Sequence, residues 1–256
     1  MISANFLMLV GAGFLGGVAN AIAGGATLIT FPAMLLAGLP PIIANASNAV
    51  AVTPGHLLAA CADWKKLPPL NAFTVKSTLA TLLGGIIGAA LLLFTPEYVF
   101  SLLVPALMGL ATLVFAFARS IQFAMAKPRA DTGLSEINPA YRIAMLGPAA
   151  VYGRYFGGGL GVILLAILSI SGREDLRSAN VLKNLLATAV SVTTLSIFTI
   201  RGAVRWPETI VMLVGAIVGG FLGGRLVRRL SSFLIRTIVI VGGVLMTAIY
   251  VWRYWL

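Results

Sequence analysis

The sequence predicts an all-α polytopic membrane bundle, and three observations carry that prediction. Mean hydropathy is +1.01, with 59% apolar and only 10% charged residues, far from the composition of a water-soluble domain. Several apolar runs approach the roughly 20 residues a helical span needs, which fits helices and not the short alternating strands of a barrel. At two matching points such a run is interrupted by glycines: Ala23-Gly24-Gly25-Ala26-Thr27 and Phe156-Gly157-Gly158-Gly159-Leu160. Hydrocarbon tolerates backbone freed from the helical ladder only where it faces protein or a polar cavity, so a broken membrane helix marks a candidate binding site.

Taken in order, the spacing predicts helix 1 over Asn5–Ala23, the Gly24-Gly25 break, and a short helix from Thr27 to Leu36, closed by the turn Gly38-Leu39-Pro40-Pro41. Helix 2 runs from Ile42 to Cys61 with Pro54-Gly55 as a kink. Helix 3 covers Phe73–Phe94 and helix 4 Tyr98–Phe117. After a long polar connection, Ile143–Phe156 breaks at Gly157-Gly158-Gly159 and resumes as Val162–Ile170, with a turn at Ser171–Asp175. Helices 6, 7 and 8 cover Ala179–Ile200, Glu208–Leu230 and Phe233–Trp252. Trp206, Tyr250, Trp252, Tyr254 and Trp255 fall where interfacial aromatics anchor spans. The N-terminal run lacks a basic leader and a small-residue cleavage pattern, so it is expected to be a retained helix.

The expected organisation is one transmembrane domain over 1–256: a first repeat at 1–118, a connecting loop at 119–139 and a second repeat at 140–256. Gly24-Gly25 matches Gly158-Gly159, Ala44-Asn45 matches Ala179-Asn180, and Gly84–Gly88 matches Gly215–Gly219. Glycines four apart in both copies suggest close helix contacts. Lys and Arg counts bear on orientation. With Arg154 and Lys183 left out of the count, the basic residues split ten against six if all eight segments cross. If the two broken segments dip in and return, the split is thirteen against three, with Arg201, Arg205 and Arg253 in the minority. The sharper split obeys the positive-inside rule better, which favours inverted repeats with re-entrant broken helices and both termini outside.

The charge of +11 therefore reports orientation, and no nucleic-acid partner is expected. Cys61 is the single cysteine and excludes an internal disulfide; it is expected to be buried and inert. With one histidine and one cysteine no familiar metal cluster forms, and Walker, nucleophile-elbow and zincin motifs are missing, so neither an enzyme nor a bound cofactor is expected.

What remains is a polar set inside apolar helices. Helix 2 carries Asn45, Asn48 and His56 near one face; helix 6 carries Asn180, Lys183, Asn184, Ser191 and Thr194. A lysine in an apolar helix costs several kcal/mol unless wet or paired. All seven acids fall in loops or at helix ends. A cation, amides and freed N–H groups at helix N-termini make a site for a small anion, built from Gly24, Gly25, Thr27, Asn45, Asn48, His56, Gly158, Gly159, Asn180, Lys183 and Asn184. Plainer roles stand beside this one. Lys183 could snorkel or pair with Glu174 or Asp175, and Arg154 could line the break or reach a headgroup. His56 could be a packing residue, the asparagines interhelical glue, and the glycines close-packing points.

The motifs Ala21-Ile22-Ala23-Gly24-Gly25, Phe31-Pro32-Ala33, Ala44-Asn45-Ala46-Ser47-Asn48 and Pro54-Gly55 resemble the first half of the TauE/SafE family of bacterial sulfite and organosulfonate exporters. Tyr155–Val162, Ala179–Thr188 and Gly202-Ala203-Val204-Arg205-Trp206-Pro207 resemble its second half, so the likeness spans nearly the whole chain. The resemblance implies a multi-pass secondary transporter of the bacterial cytoplasmic membrane, exporting a small anion such as sulfite, thiosulfate or an organosulfonate by alternating access. Coupling to protons through His56 and assembly as a homodimer are further expectations. Ala26, His56 and Arg154 depart from the family pattern, and the last two add cationic character. A passive anion channel and a non-transporting accessory subunit are the alternatives from other classes.

Overall fold

In a computed structural model the chain folds into helices and the turns that join them; the structure describes residues 2–62, 65, 67–118, 120, 121, 123, 138–169, 176–226 and 232–256. In chain order the helices are α1 (Ile2–Ala23), α2 (Thr27–Leu36), α3 (Pro41–Ala62), α4 (Ala72–Phe94), α5 (Glu97–Ala116), α6 (Pro139–Tyr155), α7 (Leu160–Ser169), α8 (Leu176–Ile200), α9 (Trp206–Leu226) and α10 (Ser232–Trp255). No strand is present among the described residues. The turn expected at 171–175, most of the 119–139 connection and the far end of helix 7 lie outside the described residues.

The helices end where local chemistry stops them. Asn71 caps α4, its side chain accepting from the Thr74 N–H, and Asn138 caps α6 by accepting from Ala140 N–H. Glu97, in the first turn of α5, reaches across to accept from the Ile42 N–H at the start of α3. Among the described residues four helices are long and apolar enough to cross a bilayer: Ala72–Phe94, Glu97–Ala116, Ser178–Ile200 and Arg236–Trp255. By contrast α2 and α7 have 10 residues each, about 15 Å of helix and half a hydrocarbon core. Leu79, Leu83, Leu113, Phe221 and Leu245 stand out from the surface, each more than half exposed, as lipid-facing side chains do.

Packing between the two halves is reciprocal. α1 lies along α9 and α4 lies along α6, so the first helix of each half is paired with the fourth helix of the other. Both seams are glycine seams. A Cβ at Gly215 or Gly219 would run into the carbonyls of Val10 or Phe14, and a Cβ at Gly84 or Gly88 into those of Gly147 or Val151. The rising order of these contacts makes both pairs parallel. α5 and α10 instead meet antiparallel: Gly109 is set against Thr247, Thr112 against Gly243, and Arg236 donates to the carbonyls of Phe115 and Ala116.

The breaks are chain-terminating turns of the backbone. Gly24 has φ +78°, Gly157 +86° and Gly159 +79°, left-handed values that only glycine holds cheaply. Nothing lies within 4 Å of a Cβ placed at Gly24. Gly24→Ala is therefore expected to cost only the backbone term, about 1–2 kcal/mol, measured as a small loss of midpoint in detergent unfolding.

Two expectations need correction. Cys61 is exposed, because the last turns of α3 run beyond their cover; Leu57 and Leu58 just before it are also exposed. Tyr250 is no interfacial anchor: it is 1% exposed, stacked on Tyr254 with ring centroids 5.8 Å apart.

Candidate functional site

The two breaks meet. Phe31 of α2 packs edge-on against Phe156 in the second break at 5.4 Å, and the Thr27 hydroxyl lies 3.7 Å from where a side chain on Gly157 would begin. Between them is a small cavity lined by residues of both halves, among them Asn20, Gly24, Thr27, Asn48, His56, Arg154, Gly157 and Gly161. Its volume is about 20 Å³, and a single water requires about 10–15 Å³. An oxyanion of several heavy atoms enters only if the lining moves.

Each side chain is set by its helix. α3 presents Asn45, Asn48 and His56 to the cavity, and Asn45 and Asn48 are almost fully buried. Asn45 Nδ2 donates to the Tyr155 carbonyl at 2.7 Å, satisfying an acceptor that the end of α6 leaves without a ladder partner. Tyr152 Oη donates to the Gly158 carbonyl at 2.8 Å and steadies the same break. Ala26 and Thr27 at the start of α2, and Leu160 and Gly161 at the start of α7, also line the cavity. First-turn N–H groups have no intrahelical acceptor and carry the positive end of the helix dipole.

The charge comes from Arg154. It is 5% exposed, and its Nη1 donates to the hydroxyls of Ser191 (3.4 Å) and Thr194 (3.2 Å) on α8. Its Nε finds no acceptor among the described residues. The described carboxylates do not balance it: Glu97 is engaged at the start of α3, and Glu208 faces Arg205 at 3.9 Å. A buried guanidinium without a carboxylate is costly and is relieved by an anion.

Of the residues singled out from sequence, Gly24, Thr27, Asn45, Asn48 and His56 line the cavity. Gly25 faces the Phe115 ring, Gly158 faces Ala111 and Phe156, and Gly159 faces Val114, so these three shape the breaks from outside the cavity. Asn180, Lys183 and Asn184 sit on α8 behind it. Lys183 Nζ donates to Asn180 Oδ1 at 2.7 Å, and its stem passes 4.0 Å from a Cβ built on Gly161. Glu174 and Asp175, the alternative partners for Lys183, lie outside the described residues.

Sequence reasoning weighed Arg154 but left it out of the set, took in Gly161 only as the end of a backbone stretch from Gly158, and passed over Asn20 and Gly157. Asn20 had a visible signal, an amide near the end of an apolar helix. Its Nδ2 sits 2.8 Å from a Cβ built on Gly55, so the glycine after Pro54 makes room for it.

A family model described as "Sulfite exporter TauE/SafE" matches residues 9–250. The chain is 28% identical over 239 residues to a "Probable membrane transporter protein" of Haemophilus influenzae, covering 92% of this chain and 90% of the relative. It is 26% identical over 235 residues to the "Probable membrane transporter protein YfcA" of Escherichia coli K12, covering 91% and 85%. A "Probable membrane transporter protein ORF9" of a Sinorhizobium species is 24% identical over 233 residues, covering 90% and 86%. No solved structure matches the chain at comparable significance.

Proposed function

Since the chain belongs to the sulfite exporter TauE/SafE family, we propose that it is a secondary transporter that moves a small sulfur-containing anion across the bacterial cytoplasmic membrane, exporting it by alternating access. One observation carries the anion reading: Arg154 is a buried permanent cation lining a cavity between two helix breaks, with no carboxylate among the described residues that line it. Asn20, Asn48 and His56 would orient the anion's oxygens, and the first-turn N–H groups of α2 and α7 would add donors. Lys183, whose stem passes Gly161 of the cavity lining, would support the field.

The inverted-repeat reading gains support from helix direction. Were the two halves related by an axis along the membrane normal, α5 and its counterpart α10 would run parallel. They run antiparallel. An axis in the membrane plane gives that relation, and it requires each broken segment to dip in and return, the topology that also sorts the basic residues thirteen against three. Rocking of one half against the other would expose the cavity to alternate sides. A cavity of only about 20 Å³ fits an alternating carrier better than an open pore.

The test is thermal stabilisation of the purified protein by sulfite, sulfate, thiosulfate, sulfoacetate, taurine, acetate and chloride. A site ligand at about 100 times its Kd adds about 2.7 kcal/mol, so one sulfur anion should raise the melting temperature with concentration while acetate and chloride do not. Counterflow of that anion in proteoliposomes then separates a carrier from a channel. A flat response across the panel would return the accessory-subunit reading to first place.

A further inference from the structure

Asn45 and Asn180 hold the same place in their helices. Each is the fifth residue, of α3 and α8 respectively, and each follows an alanine. Three residues on, α3 carries Asn48 where α8 carries Lys183. Their bonds differ. Asn45 crosses to the other half and donates to the carbonyl of Tyr155, the last residue of α6, while Asn180 stays on its own helix and accepts from Lys183 Nζ. Because α1 lies along α9 as α6 lies along α4, the counterpart of the Asn45 bond would run from Asn180 to the carbonyl of Ala21 in the last turn of α1, the residue that the match of Gly24-Gly25 with Gly158-Gly159 sets against Tyr155.

Resting on the transport reading above, we propose that Asn45 and Asn180 are paired positioning residues that exchange latches during the cycle. In the arrangement seen here Asn45 clamps the end of α6 and Asn180 holds Lys183. In the opposite arrangement Asn180 clamps the end of α1, Asn45 lets go of α6, and Lys183 is released. The stem of Lys183 already passes Gly161, a cavity residue, so a released ammonium has a short path to the anion. The cavity then presents one cation, Arg154, in one arrangement and two in the other. Differential contact with the substrate in the two states is what a ligand needs to bias them.

Hydrogen–deuterium exchange of the two break segments, residues 20–28 and 153–161, tests this in the purified full-length protein. Asn45→Ala removes the closed latch, and Lys183→Ala frees Asn180 to form the other. Both should raise exchange at 153–161 and lower it at 20–28, by about three- to tenfold, the worth of one buried hydrogen bond. Asn180→Ala should do the reverse. If these asparagines were only glue, each variant would loosen the segments nearest to it, and all changes would be increases; that result overturns the exchange. Should Asn45→Ala not fold, the opposite signs required of Lys183→Ala and Asn180→Ala still decide. The sign pattern in a protein that moves no anion would refute transport and leave the latches standing. Counterflow with no sign pattern would do the converse.

Discussion

Arg154→Gln is expected to abolish anion-induced thermal stabilisation while leaving the ligand-free protein at least as stable as the parent. The two effects have one cause. In the ligand-free protein the guanidinium is buried, and among the described residues it meets no carboxylate and is held by Ser191 and Thr194. Removing such a charge relieves desolvation, and replacing buried ions by neutral groups is often neutral or stabilising by about 1–4 kcal/mol. With the anion bound the same charge is its principal partner, and truncating one member of a buried charged pair costs about 2–5 kcal/mol, or about 30- to several-thousand-fold in affinity. Glutamine keeps a donor for the two hydroxyls, so packing on α8 is preserved. A melting temperature that falls in the ligand-free variant would mark Arg154 as a structural strut; an undiminished anion shift would take it out of the site.

Gly88→Val and Gly219→Val are expected to be the most destabilising single substitutions along the long helices, each by about 3 kcal/mol or more. At these positions a Cβ runs into backbone, the carbonyl of Val151 or of Phe14, and not into the end of a side chain that could rotate away. The helices must part along the seam. Gly11→Ala on the exposed face of α1 meets nothing within 4 Å and should change stability by no more than about 1 kcal/mol, in the stabilising direction that helix propensity favours. Reversible unfolding in mixed micelles measures both. Equal effects at Gly11 and Gly219 would dismiss the seam as the source of stability.

Much of this architecture was legible because the bilayer makes few structures possible. Hydropathy located every described helix to within a few residues, and the paired glycines marked both breaks, since nothing else holds φ near +80° at low cost. Asn45, Asn48 and His56 were found together because one helical face carries all three. What was hidden depended on partners remote in sequence. Lys183 looked like the counter-charge from its own helix, but Asn180, three residues away, takes its ammonium in this arrangement, while Arg154 reaches the cavity from a helix end. Within a run of three glycines, spacing alone could not distinguish Gly157, which faces the cavity, from Gly158 and Gly159, which face α5. Cys61 was misjudged because burial near a helix end depends on where neighbouring helices stop.

The cross-pairing of the halves has a consequence for biosynthesis. α1 leaves the ribosome ahead of the other described helices, yet the surface that covers its glycine face is α9, about two hundred residues later. Until α9 is inserted, the flat strip of Gly13 and Gly17 faces lipid with little side chain to contribute, and α1 is held only by its link to α2 and its lighter contacts with α3. α4 waits only for α6, the next long helix but one. Assembly therefore closes from the middle of the chain outward, and a polypeptide that stalls before α9 carries an orphan helix, the kind of unfinished segment that membrane quality control detects.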